Sequence, residues 1–169
     1  MKQGKIVGII PARYDSSRFP GKALAVVHGK TVIQRVYEQA GKSLDEVCVA
    51  TDDKRIYDHV ASFGKVFMTS KEHTSGTERC QEVLNREYSG FNYVVNIQGD
   101  EPFINPEQLN ALKSSLDGKV EIATLCKKIT EIDDLRSPNV VKVVNDINGF
   151  ALYFSRNPIP YIKGKNVDE

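Results

Sequence analysis

The chain has 169 residues, which predicts a single domain over residues 1–169, because soluble domains usually hold about 100 to 200 residues. Hydrophobic residues make up 40% of it and charged residues 27%, a globular composition that excludes disordered and collagen-like classes. Its apolar runs, such as residues 6–10, are far shorter than the roughly 18 to 20 residues of a membrane helix, and we expect no signal peptide from residues 1–11. The three cysteines are widely spaced and predict neither a zinc site nor a disulfide framework, so we expect a cytoplasmic protein.

The net charge of +1 hides a gradient along the chain. Residues 1–35 carry seven lysines and arginines against one acid, Asp15, so this segment is at +6 and the remainder at −5. A cationic first quarter on a nearly neutral protein favours a compact anion such as a phosphate group over nucleic acid. The alternative is a solvated charged face with no ligand.

Short apolar strands alternate with amphipathic helices along most of the sequence. The predicted strands cover residues 5–10, 47–50, 66–68, 93–98 and 123–128. The predicted helices begin after Thr31, at Asp52 or Asp53, at the capping box Ser75–Glu78, and at Pro106. Residues 140–144 and 150–154 are predicted to pair as an antiparallel hairpin that turns at Asn148-Gly149.

This alternation predicts an α/β fold with a mostly parallel, Rossmann-like, doubly wound sheet, helices on both faces and a C-terminal antiparallel hairpin. Sheets of this kind bind ligands at the carboxyl ends of their strands, where the winding reverses. We therefore expect the functional residues just after Ile10, Met68 and Gln98.

The first of these loops, residues 11–22, matches neither common nucleotide-binding pattern, since it lacks both G-x-G-x-x-G and a complete Walker sequence. It carries instead Arg13, Arg18 and Lys22, with Ser16 among them. Arginine forks and a lysine point charge suit a triphosphate, whose negative charge is spread over several groups. The alternative is an exposed basic loop, although three cations held close together repel each other unless an anion lies between them.

The second loop contains the sequence HTSGTER at residues 73–79. Helix capping alone explains Ser75 and Glu78, and Arg79 would then be an exposed side chain of the first turn. A helix start with free backbone amides and Gly76 can also hold a polar ligand, and both interpretations can be true together.

The third loop follows a buried strand and delivers Gln98, Asp100 and Glu101 to the ligand edge, with Gly99 permitting a close backbone approach. Carboxylate oxygens suit Mg²⁺, which takes few protein ligands and leaves the other positions to water and phosphate. The alternative is a polar turn whose acids cap the following helix.

Four strings in the chain resemble the 3-deoxy-manno-octulosonate (Kdo) cytidylyltransferase family. They are IPARYDSSRFPGKAL at 10–24, HTSGTER at 73–79, NIQGDEP at 96–102, and PNVVKVV with GFALYFSRNPIP within 138–160. The first string alone is also similar to CMP-sialic acid synthetases and other sugar nucleotidyltransferases, so activation of another acidic sugar is the alternative. The other three strings favour the Kdo family.

The resemblance implies transfer of a cytidylyl group from CTP to Kdo, giving CMP-Kdo and pyrophosphate for lipopolysaccharide synthesis. It implies Lys22 and Asp100 as catalytic residues, with Asp100 also as the Mg²⁺ ligand. It implies that the triphosphate is bound by Arg13, Ser16, Arg18 and Lys22. It implies that the cytidine and sugar are bound by Ser75, Gly76, Arg79 and Gln98, and that a carboxylate or phosphate is bound by Arg156. It also implies a homodimer for a full-length member. Family members extend well past the position of Glu169, so we expect a truncated chain, with a nucleotide-binding fragment that does not turn over as the alternative.

Overall fold

A computed structural model gives the fold and describes residues 4–15 and 19–161. The chain forms two compact units, Met1–Ala123 and Thr124–Glu169. A single domain over residues 1–169 stays a prediction. Within the described part of the chain, none of the helices is long and apolar enough to cross a membrane.

The first unit alternates strands and helices. In chain order its elements are β1 (Ile6–Ala12), a 3-10 turn (Lys22–Leu24), β2 (Val26–Val27), β3 (Lys30–Thr31), α1 (Val32–Ala40), β4 (Glu46–Thr51), α2 (Lys54–Ala61), β5 (Val66–Met68), α3 (Gly76–Glu87), β6 (Tyr93–Asn96) and α4 (Pro106–Ser114). The main sheet has four strands in the order β5-β4-β1-β6, and its three pairings are all parallel. The predicted mostly parallel sheet is thus confirmed.

The strand order places the reversal of winding beside β1. From β1 the chain crosses to β4 and then to β5 on one side, whereas β6 pairs with the other edge of β1. The carboxyl ends of β1 and β6 therefore flank the crevice in which open α/β sheets bind ligands.

Helices cover both faces of this sheet, as predicted. Ile33 of α1, Val60 of α2 and Leu109 of α4 share one apolar core, whereas Val83 of α3 lies in a second core with Val7 of β1. Cys48 and Cys80 belong to the second core, and burial raises the pKa of each thiol to about 12. At neutral pH both cysteines are therefore apolar packing groups.

Side-chain caps fix where the helices begin. The Thr31 hydroxyl accepts from the backbone N–H of Gln34, and Asp53, rather than Asp52, caps α2 by accepting from Arg55. Ser75 and Glu78 form the predicted capping box. Each cap satisfies a backbone donor that the first helical turn leaves unpaired.

The second unit contains α5 (Ile132–Arg136), β7 (Lys142–Asn145) and β8 (Ala151–Ser155). β7 and β8 pair as the predicted antiparallel hairpin, and Gly149 takes the left-handed φ of 87° that the turn requires. The buried Lys142 ammonium holds the base of the hairpin by donating to the carbonyls of Ser137, Val140 and Arg156.

The predicted fifth strand over residues 123–128 is wrong. This segment has no regular structure, and most of it, including Leu125 at 46% exposure, faces solvent. A central strand of a parallel sheet needs apolar side chains on both faces, but two of its six residues, Lys127 and Lys128, are charged.

Candidate functional site at the carboxyl ends of the strands

The second and third predicted loops meet the end of β1 at Pro11. A Cβ on Gly99 would lie 2.8 Å from the Pro11 carbonyl oxygen, and a Cβ on Gly76 would lie 3.1 Å from the Pro11 Cγ. A backbone atom cannot turn aside as a side chain can, so glycine is required at position 99. The start of α3 and the turn after β6 thus both approach the end of β1 closely.

Lys22 and Asp100 form an ion pair across the crevice between β1 and β6. The Lys22 Nζ lies 2.8 Å from Asp100 Oδ2, and the two side chains are 42% and 55% exposed. Gly21, with a φ of 72°, turns the chain into the 3-10 turn that carries Lys22, and its carbonyl accepts from the Leu24 N–H. Both groups therefore remain accessible, so an anionic ligand can take Lys22 while a cation takes Asp100.

The Asp100 carboxylate has the chemistry of a magnesium ligand. Among the residues that the structure describes, no group of three His, Cys, Asp or Glu side chains is placed to hold a metal. A lone accessible carboxylate matches Mg²⁺, which takes one or two carboxylates and fills its other positions with water and phosphate oxygens. Gln98 is exposed on the same turn, and its amide donates weakly to Asn96 Oδ1 at 3.4 Å.

A polar cleft of about 280 Å³ lies at the ends of β1, β4 and the segment after β5. Its lining residues are Arg13, Tyr14, Asp15, Asp52, Asp53, Lys71, His73 and Arg79. Ligand pockets usually measure about 300 to 1,000 Å³. This cleft therefore suits part of a nucleotide rather than a whole nucleotide together with a separate sugar ligand. Arg13 and Arg79 are the two predicted site residues that line it.

Arg79 is buried, so its interpretation as an exposed side chain of the first turn is wrong. Its side chain is 5% exposed, and its guanidinium donates to Asp52 Oδ2 at 2.8 Å, to the Thr69 hydroxyl and to the Ser70 carbonyl. These bonds tie the end of β4 to the end of β5 beneath the cleft. Sequence reasoning missed Asp52, although its place directly after a strand could have indicated it.

Two glutamates of α3 hold the loop before that helix. Glu82 accepts from the Ser70 N–H at 2.9 Å and lies 2.6 Å from the His73 Nε2, whereas Glu78 accepts from the N–H groups of Thr74 and Ser75. The backbone bond from Ser70, followed by the His73 ring, holds the pKa of the Glu82 carboxyl below its usual range. The loop is thus anchored at the cleft by charge-assisted bonds.

The remaining predicted residues divide between the two units. Ser16 and Arg18 lie outside the described residues. Ser75 and Gly76 start α3, and the Ser75 hydroxyl is engaged by the Glu78 N–H. Arg156 belongs to the second unit, where its Nη1 donates to the Pro138 carbonyl at 2.6 Å. The ligand roles of all these residues stay predictions.

Comparison with known proteins gives relatives along nearly the whole chain. A family model described as cytidylyltransferase matches residues 7–168. The 3-deoxy-manno-octulosonate cytidylyltransferase of Parabacteroides distasonis is 54% identical, over 98% of this chain and 68% of its own length. The enzyme of that name from Cytophaga hutchinsonii is 52% identical, over 94% of this chain and 64% of its own length.

A solved structure of CMP:2-keto-3-deoxy-manno-octonic acid synthetase complexed with CTP is similar in both sequence and fold. It is 44% identical, with a TM-score of 0.90 over 95% of this chain and 67% of that protein. The chain thus spans about two thirds of the length of the proteins that it matches.

Proposed function

This chain belongs to the 3-deoxy-manno-octulosonate cytidylyltransferase family of nucleotidyltransferases, and we propose that it transfers the cytidylyl group of CTP to Kdo, releasing pyrophosphate. The observation that carries this proposal is the accessible Lys22–Asp100 pair in the crevice between β1 and β6. It offers a cation for the triphosphate and a carboxylate for its counter-ion at the edge where α/β sheets bind ligands. The Kdo acceptor is favoured over other acidic sugars because the relatives of about 50% identity carry the Kdo name.

The reaction asks the protein mainly for position and charge. The anomeric hydroxyl of Kdo attacks the α-phosphorus of CTP in line. The new P–O bond forms, the bond to pyrophosphate breaks, and the hydroxyl proton passes to solvent. Negative charge grows on the departing pyrophosphate. Lys22 moves from Asp100 to the triphosphate and stabilises this charge. Arg13 and Arg18 add further positive charge from the same loop. Positioning and electrostatic stabilisation are the main catalytic terms in such transfers.

Asp100 would hold Mg²⁺, since its carboxylate is accessible and lies beside Lys22 in the crevice between β1 and β6. We call this part of the crevice, around Lys22 and Asp100, the phosphate edge. When bound, the ion would polarise the α-phosphate. The release of Lys22 to the triphosphate at the same time leaves the Asp100 oxygen free for this role. The charges of the pair are thus used separately in the loaded state.

We assign the cleft that contains His73 and Arg79 to the cytidine part of CTP, and its further lining residue Arg13 to the triphosphate side, as the resemblance implies. Its volume suits part of a nucleotide, and its mixed donors and acceptors match the edge of a base and the ribose hydroxyls. Arg79 contributes through the wall of the cleft, because Asp52 and Thr69 engage its guanidinium. The resemblance further implies a role in lipopolysaccharide synthesis and a homodimer for a full-length chain, and the cysteine pattern predicts a cytoplasmic protein; these points stay predictions.

The test is pyrophosphate release by this chain with Mg²⁺ and a panel of substrates. We expect release with CTP and Kdo together, and none when UTP or ATP replaces CTP or when sialic acid replaces Kdo. Equal rates with UTP or ATP would contradict the assignment of CTP, and turnover of sialic acid would contradict that of Kdo. Tight CTP binding without product would instead indicate a nucleotide-binding fragment.

A further inference from the structure

Arg55, which lies outside every motif that the sequence singled out, stacks on Tyr14 of the first loop. The guanidinium carbon of Arg55 lies 3.3 Å from the centroid of the Tyr14 ring. Asp53 fixes the guanidinium plane through two bonds, Nε to Oδ1 at 2.9 Å and Nη2 to Oδ2 at 2.6 Å. A paired fork of this kind sets orientation as well as distance, so the guanidinium is presented flat to the ring.

Tyr14 also contacts Gly21, the residue that precedes Lys22. The N–H of Gly21 donates to the Tyr14 carbonyl at 2.8 Å, and a Cβ on Gly21 would lie 3.0 Å from the Tyr14 ring. The carbonyl of Tyr14 thus holds the Gly21 backbone, and its ring packs beside the left-handed turn at Gly21. Lys22 leaves this turn directly toward Asp100.

We propose that Arg55 is a positioning residue for Lys22, acting through a set of four residues, Asp53, Arg55, Tyr14 and Gly21, which we call the Tyr14 stack. Asp53 orients Arg55, Arg55 holds the Tyr14 ring, and the ring and carbonyl of Tyr14 fix the turn at Gly21. The stack keeps the Lys22 ammonium beside Asp100 before CTP arrives, so CTP binding does not have to order the turn at Gly21. The importance of Lys22 for CTP rests on the function proposed above.

Amide hydrogen exchange tests the stack without any need for enzyme activity. In Arg55→Ala, we expect the Gly21 amide to exchange about twofold to fivefold faster than in the wild type, the range expected for loss of one exposed cation–π contact. The matched control is Lys54→Ala on the same helix, which removes an exposed ion pair with Asp58 and should leave Gly21 unchanged. The Val49 amide, in the sheet, reports global stability and should not change in either variant. Unchanged exchange at Gly21 in Arg55→Ala would overturn the proposal.

Further variants separate the stack from simple charge. Tyr14→Phe keeps the ring and should leave amide exchange at Gly21 at the wild-type rate, whereas Tyr14→Leu should accelerate exchange at Gly21 as Arg55→Ala does. Arg55→Lys keeps the positive charge but loses the planar fork, so we also expect fast exchange. Wild-type exchange in Arg55→Lys would overturn the stacking argument, as would fast exchange in Tyr14→Phe.

Steady-state kinetics then tests whether the stack serves Lys22. We expect Arg55→Ala to raise the KM for CTP about fivefold while kcat stays within about twofold, because the loop must be ordered on binding. Lys54→Ala should change neither constant. If Gly21 exchanges faster but the KM for CTP is unchanged, the stack exists and does not position Lys22. If the wild type shows no CTP-dependent turnover, the proposed function fails, whereas the exchange result stands by itself.

Discussion

Lys22 at the phosphate edge can be tested by a single substitution, with Lys30 elsewhere in the chain as a matched control. We expect Lys22→Ala to lower kcat/KM at least ~100-fold, since one stabilising charge leaves a preorganised site. Lys30 makes a similar exposed pair with Glu38, with Nζ 2.6 Å from the carboxylate, so Lys30→Ala is the control and should retain full activity. Equal kinetics for Lys22→Ala and Lys30→Ala would remove Lys22 from the mechanism.

Asp100 carries a second prediction at this scale. Asp100→Asn keeps the size of the side chain but removes its charge, so we expect turnover to fall at least ~100-fold and the Mg²⁺ concentration for half-maximal rate to rise. Titration of Mg²⁺ at saturating CTP measures both effects. Glu38→Gln is the control, because it breaks the other pair without touching this edge. An unaltered Mg²⁺ dependence in Asp100→Asn contradicts the assignment of the metal to this carboxylate.

The position of Lys22 and Asp100 could be predicted because each lies in a loop or turn that comes after a predicted strand of the sheet. Arg79 could not be placed in this way. Whether a side chain of a first helical turn faces water or the protein depends on its partners, and here Asp52 and Thr69 come from other strands. The stack of Arg55 on Tyr14 depends in the same way on a contact that no local pattern encodes.

The contacts between elements at Pro11 give a prediction about packing. In Gly99→Ala, the new Cβ meets the Pro11 carbonyl oxygen at 2.8 Å, so the turn after β6 must move away from β1. We expect the free energy of unfolding to fall by about 1 to 3 kcal/mol, the range for overpacked sites, and Asp100 to lose its place beside Lys22. Urea denaturation measures the first effect and CTP turnover the second.

Gly90→Ala is the matched control for that experiment. A Cβ there would meet no heavy atom within 4 Å, and the backbone is not left-handed. Its stability should therefore be unchanged or slightly higher, since alanine restricts the unfolded chain. Equal destabilisation by both substitutions would show that the close approach at Pro11 does not matter.

The anchoring of the loop before α3 predicts a pH dependence. The pKa of Glu82 is lowered in the folded state, so its contribution to stability is complete above its ordinary value of 4.5 and is lost as the pH falls through the lower folded value. We expect the free energy of unfolding to fall less steeply between about pH 5 and pH 3 in Glu82→Gln than in the wild type. The exposed Glu121, changed to Gln, should keep the wild-type slope. Parallel slopes for all three proteins would contradict the role of Glu82.

At the scale of elements, periodicity and caps predicted β1, β4, β5 and β6 and the helices between them. The hairpin of β2 and β3 was missed because each strand has only two residues, although His28 and Gly29 both take the positive φ of a tight hairpin turn. The prediction of a strand over residues 123–128 failed because the segment has too few apolar side chains, with Lys127 and Lys128 at its end, to be buried on both faces of a parallel sheet.

For the molecule as a whole, alternation of elements predicted the doubly wound sheet, and the strand order then placed the crevice between β1 and β6. The order itself could not be read from the sequence, because β6 could have followed β5 instead of returning to β1. In the second unit the hairpin could be predicted from its local turn, whereas the exposure of its side chains could not. Large apolar side chains of β8, among them Leu152 and Phe154, are exposed.

The account depends on CTP reaching that crevice, and a crystal structure of this chain with CTP and Mn²⁺, used in place of Mg²⁺ for its anomalous scattering, tests this most directly. We expect the triphosphate against Lys22, the Lys22–Asp100 bond broken, and one anomalous peak about 2.1 Å from an Asp100 oxygen. A triphosphate bound elsewhere while Lys22 and Asp100 stay paired would contradict the account.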